Sequence, residues 1–328
     1  MKSLHIAALL LASASHASAQ ESPCRLQAND SAWVASALSG WTRIAKRDAH
    51  AGVRKAPVLV LFDERCTHTL TPRSAGRAGL VAAGLRFGVS SVSHGDSIAL
   101  PNGSRVPAGL ISFASPQKDG RMFFVMSLPS IWLSSGRDPR ADLLATAVFM
   151  HEFTHTQTLA LSTRIDTLVA NGLPEESDDD VIQTRFSKRT GYTSMYERER
   201  DTLFAAATAA TQSRARALAQ VAMRDVDRRR AEWFAGPDSV YAAAEDVFLS
   251  LEGTGQWMAY LWLTDAKGGA MSVAEALPYM RRGGRHWSQD EGLALLLVAQ
   301  RISPDAPSLL FRTPARSIFS VMRSLVSR

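Results

Sequence analysis

The sequence predicts an α+β fold, a mostly antiparallel sheet followed by a mainly helical second half. Three observations carry this. Segments rich in β-branched and aromatic residues, broken by Gly- and Asn-containing turns, crowd residues 56–132. Beyond Asp138, apolar residues recur at helical spacing in one segment after another. At the junction, one helical pattern runs from Asp138 past Leu159, and the sheet is expected to pack on it.

The first nineteen residues read as a signal peptide, not as part of the fold. Lys2 gives a positive start, Ile6 to Ala12 a short apolar run, and Ala17-Ser18-Ala19 a small-residue cleavage signal. No later stretch is apolar enough for a transmembrane helix. The chain is therefore expected to be exported, to a periplasm or the extracellular space. The two cysteines, Cys24 and Cys66, form an even pair, which in an oxidising compartment reads as one disulfide. Their spacing suits no zinc site. It would tie the mature N-terminus to the end of the first strand. The formal net charge of +6 is mild and no long basic tract stands out, so nucleic acid is not an expected partner. Arg214, Arg216, Arg224 and Arg228 to Arg230 cluster in one helical stretch, which reads as a solvated face.

In chain order, Asp30 or Ser31 caps a helix over residues 30–47, with Trp33, Val34, Leu38, Trp41 and Ile44 on its apolar side. Ala56 to Phe62 is a continuous apolar run, hence a buried strand, ended by Asp63-Glu64-Arg65-Cys66. Residues 67–88 mix Gly and Ala and give no clear pattern. Val89 to Val92, Ser97 to Leu100 and Val106 to Phe113 are strand candidates. Asn102-Gly103 supplies a tight hairpin turn and Gln117 to Gly120 a second. Met122 to Leu128 is the strongest strand after the first, and the one that could accept an extended peptide by β-addition. Asp138-Pro139 then reads as an N-cap with proline at the first helical position.

This junction helix carries His151-Glu152-Phe153-Thr154-His155, an H-E-x-x-H motif. Residues four apart share a helix face, so both imidazoles can reach one ion, and Glu152 can take a proton from water held by it. At this chain's His and Glu frequencies, chance gives the pattern in roughly one chain in a hundred of this length. Leu143, Leu144, Val148, Phe149 and Phe153 give the helix an apolar back. No Gly-rich phosphate loop or Ser-His-Asp arrangement competes with it.

A strand-rich half, an H-E-x-x-H helix and a helical half together resemble the zincin metallopeptidases, and within them the gluzincins. The resemblance implies a single zinc ion, His151 and His155 as ligands, Glu152 as general base, and a later Glu as third ligand. No His follows at the spacing of the metzincin extension. Glu252, in Leu251-Glu-Gly-Thr-Gly-Gln-Trp257, is similar to the E-G-x-A-x-Y helix that supplies this ligand in several gluzincin families. Gly253 and Gly255 would let its helix approach the motif helix closely. Glu197 or Glu199 is a rival, Glu197 forming an E-x-x-x-D pair with Asp201, although the neighbouring arginines suggest an exposed helix face. Glu245, on the same face as Glu252, is a third candidate, as ligand, supporting partner or simple buried charge. Gluzincins often hold the oxyanion with a Tyr or His donor, and Tyr260, Tyr279 and His286 are the candidates here.

The organisation expected is a signal peptide over 1–19, a sheet-rich half with the motif helix over 20–160, a helical insertion over 161–236, and a helical half with the third ligand over 237–328. The insertion would hold a polar acidic loop at 171–180, read as solvated, and two long helices near 195–213 and 214–234 that could narrow the cleft. Residues 239–264, 272–280 and 288–301 read as further helices. Residues 307–328 would dock last through Ile318, Met322 and Leu325. The expected function is an exported zinc metallopeptidase acting on peptide or protein substrates. The alternatives are a catalytically silent zincin-like domain that binds an envelope partner, and a zinc hydrolase of a non-peptide amide. Oligomeric state, substrate specificity and endo- or exopeptidase action are not encoded in any motif.

Overall fold

The computed structural model describes residues 24–327 apart from 118, 137 and 313–315, so the expected signal peptide lies outside the described residues. The first helix, Ala28–Asp48 (α1), starts just ahead of the expected cap, with Gln27 at the N-cap position and Asp30 in the first turn. Val34, Leu38, Trp41 and Ile44 are buried along one side.

Eight strands follow among the described residues: Val58–Phe62 (β1), Cys66–Pro72 (β2), Leu80–Ala82 (β3), Leu85–Ser93 (β4), Ser97–Ala99 (β5), Arg105–Pro107 (β6), Ser112–Pro116 (β7) and Met122–Ser127 (β8). Six form one sheet in the order β3-β4-β2-β1-β8-β7, and β5 pairs with β6 as a separate ribbon. The sheet is antiparallel except where β1 runs parallel to β8. Parallel neighbours covered on both faces read as unbroken apolar runs, and these two strands are buried at every position. Leu59, Leu61, Phe124 and Met126 face the main core. Val58, Val60, Phe62, Phe123 and Val125 face a second core closed by Ile98 and Leu100 near the ribbon.

Several boundaries differ from the sequence reading. Residues 67–88 supply most of β2, all of β3 and the start of β4. Cys66 opens β2 and does not end β1, because Asp63 Oδ1 accepts from the backbone N–H groups of Arg65 and Cys66 at 2.8 and 2.7 Å and turns the chain. The Cys24–Cys66 disulfide forms, with Cα atoms 5.7 Å apart. The segment from Val106 to Phe113 divides into β6 and β7 around Gly109.

The helices are Pro129–Ser134 (α2), Ala141–Gln157 (α3), Leu159–Ala170 (α4), Val181–Phe186 (α5), Thr190–Ala207 (α6), Gln212–Trp233 (α7), Val240–Thr264 (α8), Val273–Arg281 (α9), Trp287–Ile302 (α10) and Ile318–Val326 (α11). The motif helix α3 begins at Ala141; Asp138 Oδ1 instead accepts from Arg140 N at 2.7 Å and closes a turn ahead of it. Trp33 and Trp41 of α1 donate their indole N–H to Thr146 and Thr154 of α3, both at 2.9 Å. Trp41 also meets Phe153 edge-on, and Phe149 stacks on Phe153. These contacts fix α3 between α1 and the sheet. The last helix, α11, buries Ile318, Met322 and Leu325 as its spacing predicts.

Helix α8 is buried along nearly its whole length and packs on α3 and on α10. The two close approaches use different glycines. A Cβ on Gly255 would lie 2.7 Å from His151 Nδ1, so Gly255 admits the motif helix. A Cβ on Gly253 would lie 2.8 Å from the Gly292 carbonyl oxygen, so Gly253 admits α10, not α3 as its neighbourhood in the sequence suggests.

Helices α6 and α7 pack on each other and on α10. The arginine run of α7 is exposed at Arg214, Arg224 and Arg228, but Arg229 is fully buried. It reaches Glu199 Oε1 at 2.5 Å and Glu245 Oε1 at 2.8 Å, and Arg230 reaches Glu245 Oε2 at 2.7 Å. Buried charges need such partners, and this group ties α6, α7 and α8 together.

Candidate metal centre and cleft

One cluster of potential metal ligands occurs among the described residues: His151, His155 and Glu252, all buried, with ligand atoms within 4.8 Å of one another. Helical spacing places the two imidazoles together, with Nε2 atoms 2.8 Å apart and rings nearly perpendicular. Helix α8 brings Glu252 across, Oε2 at 3.1 Å from His151 Nε2 and Oε1 at 3.2 Å from His155 Nε2. Three ligands about 2.0–2.1 Å from a tetrahedral ion stand about 3.3 Å from each other, so this set would accept an ion with shifts of a few tenths of an ångström.

The electrostatics of the three groups are coupled. Burial alone would raise the Glu252 pKa, but the His155 and His151 imidazoles outweigh it and hold the carboxyl far below its usual range. Burial would depress His155, yet Glu252 and then Glu152 carry it above its ordinary value. Gln289 of α10 donates to Glu252 Oε2 at 3.3 Å, and Gln256 donates to Gln289 Oε1 at 2.6 Å. Nδ1 of His155 is buried with no hydrogen-bond partner among the described residues, where a ligating histidine ordinarily has one.

Glu152 projects from the same turn of α3 and accepts a hydrogen bond from Ser112 Oγ of β7 at 3.0 Å. It stands in a cleft of about 750 Å³ whose walls include Ser112, Phe113 and Ala114 of β7, the three clustered residues, Leu159 and Asp166 of α4, and Asp179. Ser112, His151, Glu152 and Gln289 also line a narrower space of about 120 Å³ that holds Tyr279 and Arg282. Ser112, Tyr279 and Arg282 in turn line a third space of about 600 Å³ with Asp138 and Arg285. The shared residues make these a chain of spaces running past Glu152. A further cavity of about 370 Å³, between Arg54 and Leu159, holds none of the clustered residues.

The remaining sequence candidates fall elsewhere. Glu197 is exposed on α6, and Glu199 and Glu245 are paired with Arg229. Tyr260 packs in the main core. His286, at the N-cap position of α10, sets Nδ1 3.2 Å from Asp180 Oδ2. Of the three donor candidates, Tyr279 alone lines a space with His151 and Glu152. Burial and the Asp138 carboxylate keep its hydroxyl protonated well above the ordinary range.

The acidic loop at 171–180 departs from its solvated reading at Asp179. Glu175, Glu176 and Asp178 are exposed, but Asp179 turns into the cleft. Burial, then the charge of Glu252, pushes its carboxyl up to about 8. The Ser288 hydroxyl donates to the Asp179 carbonyl, and Gln183 of α5 bonds the backbone of both Arg285 and Trp287. The loop is thereby clipped to the start of α10. Ser112, Gln289, Asp179 and Arg282 carry no spacing signal toward the motif, since folding alone makes them neighbours. Gln256, one helical turn after Glu252, does carry such a signal, because its spacing places it on the same helix stripe as Glu252.

The chain matches no known protein family, no curated protein and no solved structure to which it was compared.

Proposed function

We propose that the protein is an exported zinc-dependent hydrolase that cleaves peptide bonds. The observation that carries this is the buried His151–His155–Glu252 cluster opening onto a cleft with Glu152 beside it. Two imidazoles, one carboxylate and an open side are the donor set of catalytic zinc sites. Bound there, zinc would supply a Lewis acid and a water acidified toward neutrality.

The protein's own groups would do the rest. Glu152, oriented by Ser112, accepts a proton from the attacking water and delivers it to the leaving amine. Tyr279, kept protonated, is the donor nearest in place to steady the developing oxyanion. β8 cannot receive the substrate, because β1 and β7 already pair with its two edges. β7 is the outer strand of the sheet and lines the cleft. Its unpaired edge suits an extended peptide, which main-chain hydrogen bonds would hold regardless of side chains. The Cys24–Cys66 disulfide agrees with export to an oxidising compartment.

The test is Glu152→Gln, with zinc content and peptide hydrolysis both measured. Zinc is expected to stay at one per chain while kcat falls about 10²–10⁴-fold. Retained hydrolysis would remove Glu152 from its role. A wild-type protein that holds zinc yet cleaves no member of a broad peptide library would favour the silent binding domain.

A further inference from the structure

Arg282 occupies a position where arginine is out of place on backbone grounds. It caps the C-terminus of α9 with φ 48° and ψ 34°, the left-handed region, and Gly283 and Gly284 continue with φ 68° and 73°. Glycine takes this conformation freely, whereas other residues persist there only when the surroundings impose it. The side chain gained is a guanidinium in the space that also holds His151 and Glu152. It is open to solvent, and among the described residues it makes no hydrogen bond or ion pair. Arg285 lines the adjoining space with it. The Asp138 carboxylate attracts Arg282, while Arg285 repels it. Arg140 adds a third positive charge, 4.3 Å above the Tyr279 ring. Asp138 is the one acid lining that space, and it already accepts from Arg140 N. Two unpaired guanidinium groups, one of them in the space that holds Glu152, are a receptor for an anion, and planar forked donors match a carboxylate best.

We propose that Arg282, with Arg285 beside it, is a subsite that binds a carboxylate of the peptide substrate, at the opposite end of the cleft from Asp179. The carboxylate belongs to the chain terminus or to an acidic side chain of the substrate. The substrate class rests on the peptidase reading, but the binding itself does not.

The two sources are separated with three N-acetylated hexapeptides of alanine. One has a free C-terminus, one a C-terminal amide, and one the amide with glutamate as its last residue. Each is titrated calorimetrically into Glu152→Gln protein, which leaves them uncleaved, and offered to the wild type for hydrolysis. At least one carboxylate-bearing peptide is expected to bind about tenfold or more tightly than the neutral amide, as a charge-assisted pair allows. Which of the two does so identifies the source. Adding Arg282→Gly to the Glu152→Gln protein is expected to abolish that preference and leave the affinity for the neutral amide unchanged. It should fold at least as well, since glycine suits the backbone there. Equal binding of all three peptides, including none, overturns the proposal, as does a preference that survives Arg282→Gly. If the preference appears and vanishes as expected while the wild type cleaves nothing, the subsite stands and the peptidase reading falls.

Discussion

Gly255→Ala tests whether the two ligand-bearing helices meet as tightly as described. The added Cβ would sit 2.7, 2.8 and 2.9 Å from Nδ1, Cε1 and Cγ of His151. Ordinary carbon contacts are about 3.5–4.0 Å, so ring or helix must yield by roughly 0.6–1.3 Å. The ring has little room to retreat, because its Nε2 already lies 2.8 Å from His155 Nε2 and 3.1 Å from Glu252 Oε2. Overpacking of this kind costs about 1–3 kcal/mol. Removing a glycine from a helix interior would return about 1 kcal/mol, leaving a net loss of up to about 2 kcal/mol. In a chain of this size that lowers Tm by roughly 1–2 °C per kcal/mol. The displaced ligand should also weaken zinc about 10–100-fold, as misoriented ligands do. Thermal unfolding of metal-free protein and zinc competition against a chromophoric chelator measure the two effects. A higher Tm with unchanged zinc affinity would show that helix propensity is the only term, and would refute the close approach.

Replacing Cys24 and Cys66 together by serine opens a loop with a sequence separation of 42 and is expected to cost about 4 kcal/mol by chain entropy; an unchanged urea midpoint would contradict this. Asp179 has its folded-state pKa raised to about 8 from 3.8, so between those values the folded chain holds a proton the unfolded chain has released. Its contribution therefore makes stability fall as pH rises through that window. In metal-stripped protein, Asp179→Asn is expected to reduce the drop in Tm between pH 5 and pH 8. An undiminished drop would show that Asp179 is solvated after all.

Local patterns reached some of this arrangement and not the rest. His151, Glu152 and His155 are legible because a helix converts spacing into direction, and no other element is needed to bring them together. Glu252 was legible through Gly255, since a small residue one turn away marks a close crossing. β1 and β8 announced themselves by unbroken apolar runs, as strands covered on both faces do. β2 did not, and β4 did so only over Val89 to Val92: Thr67, Thr69, Ser90 and Ser91 are polar, and the pairings of Thr69 with Ser90 and His68 with Ser91 are set by the register of the sheet rather than by composition. Arg229 was misread for a related reason. Its neighbours Arg228 and Arg224 are exposed, and only the arrival of Glu199 and Glu245 from other helices makes burial tolerable. Asp179 likewise sits in a run of exposed acids, and its inward turn depends on contacts with α10.

The glycine contacts of α8 bear on how this protein can diversify. Within one helical turn, Gly253 meets the backbone of α10 and Gly255 meets a His151 ring, with Glu252 held beside both. No side chain at these positions can be exchanged for another size without moving a ligand. Sequence change that alters which molecules the cleft admits is therefore channelled to the rims: the outer edge of β7, the loop that carries Asp179, and the turn from Arg282 to His286. A designer seeking new selectivity should build libraries there and leave the helix crossing untouched.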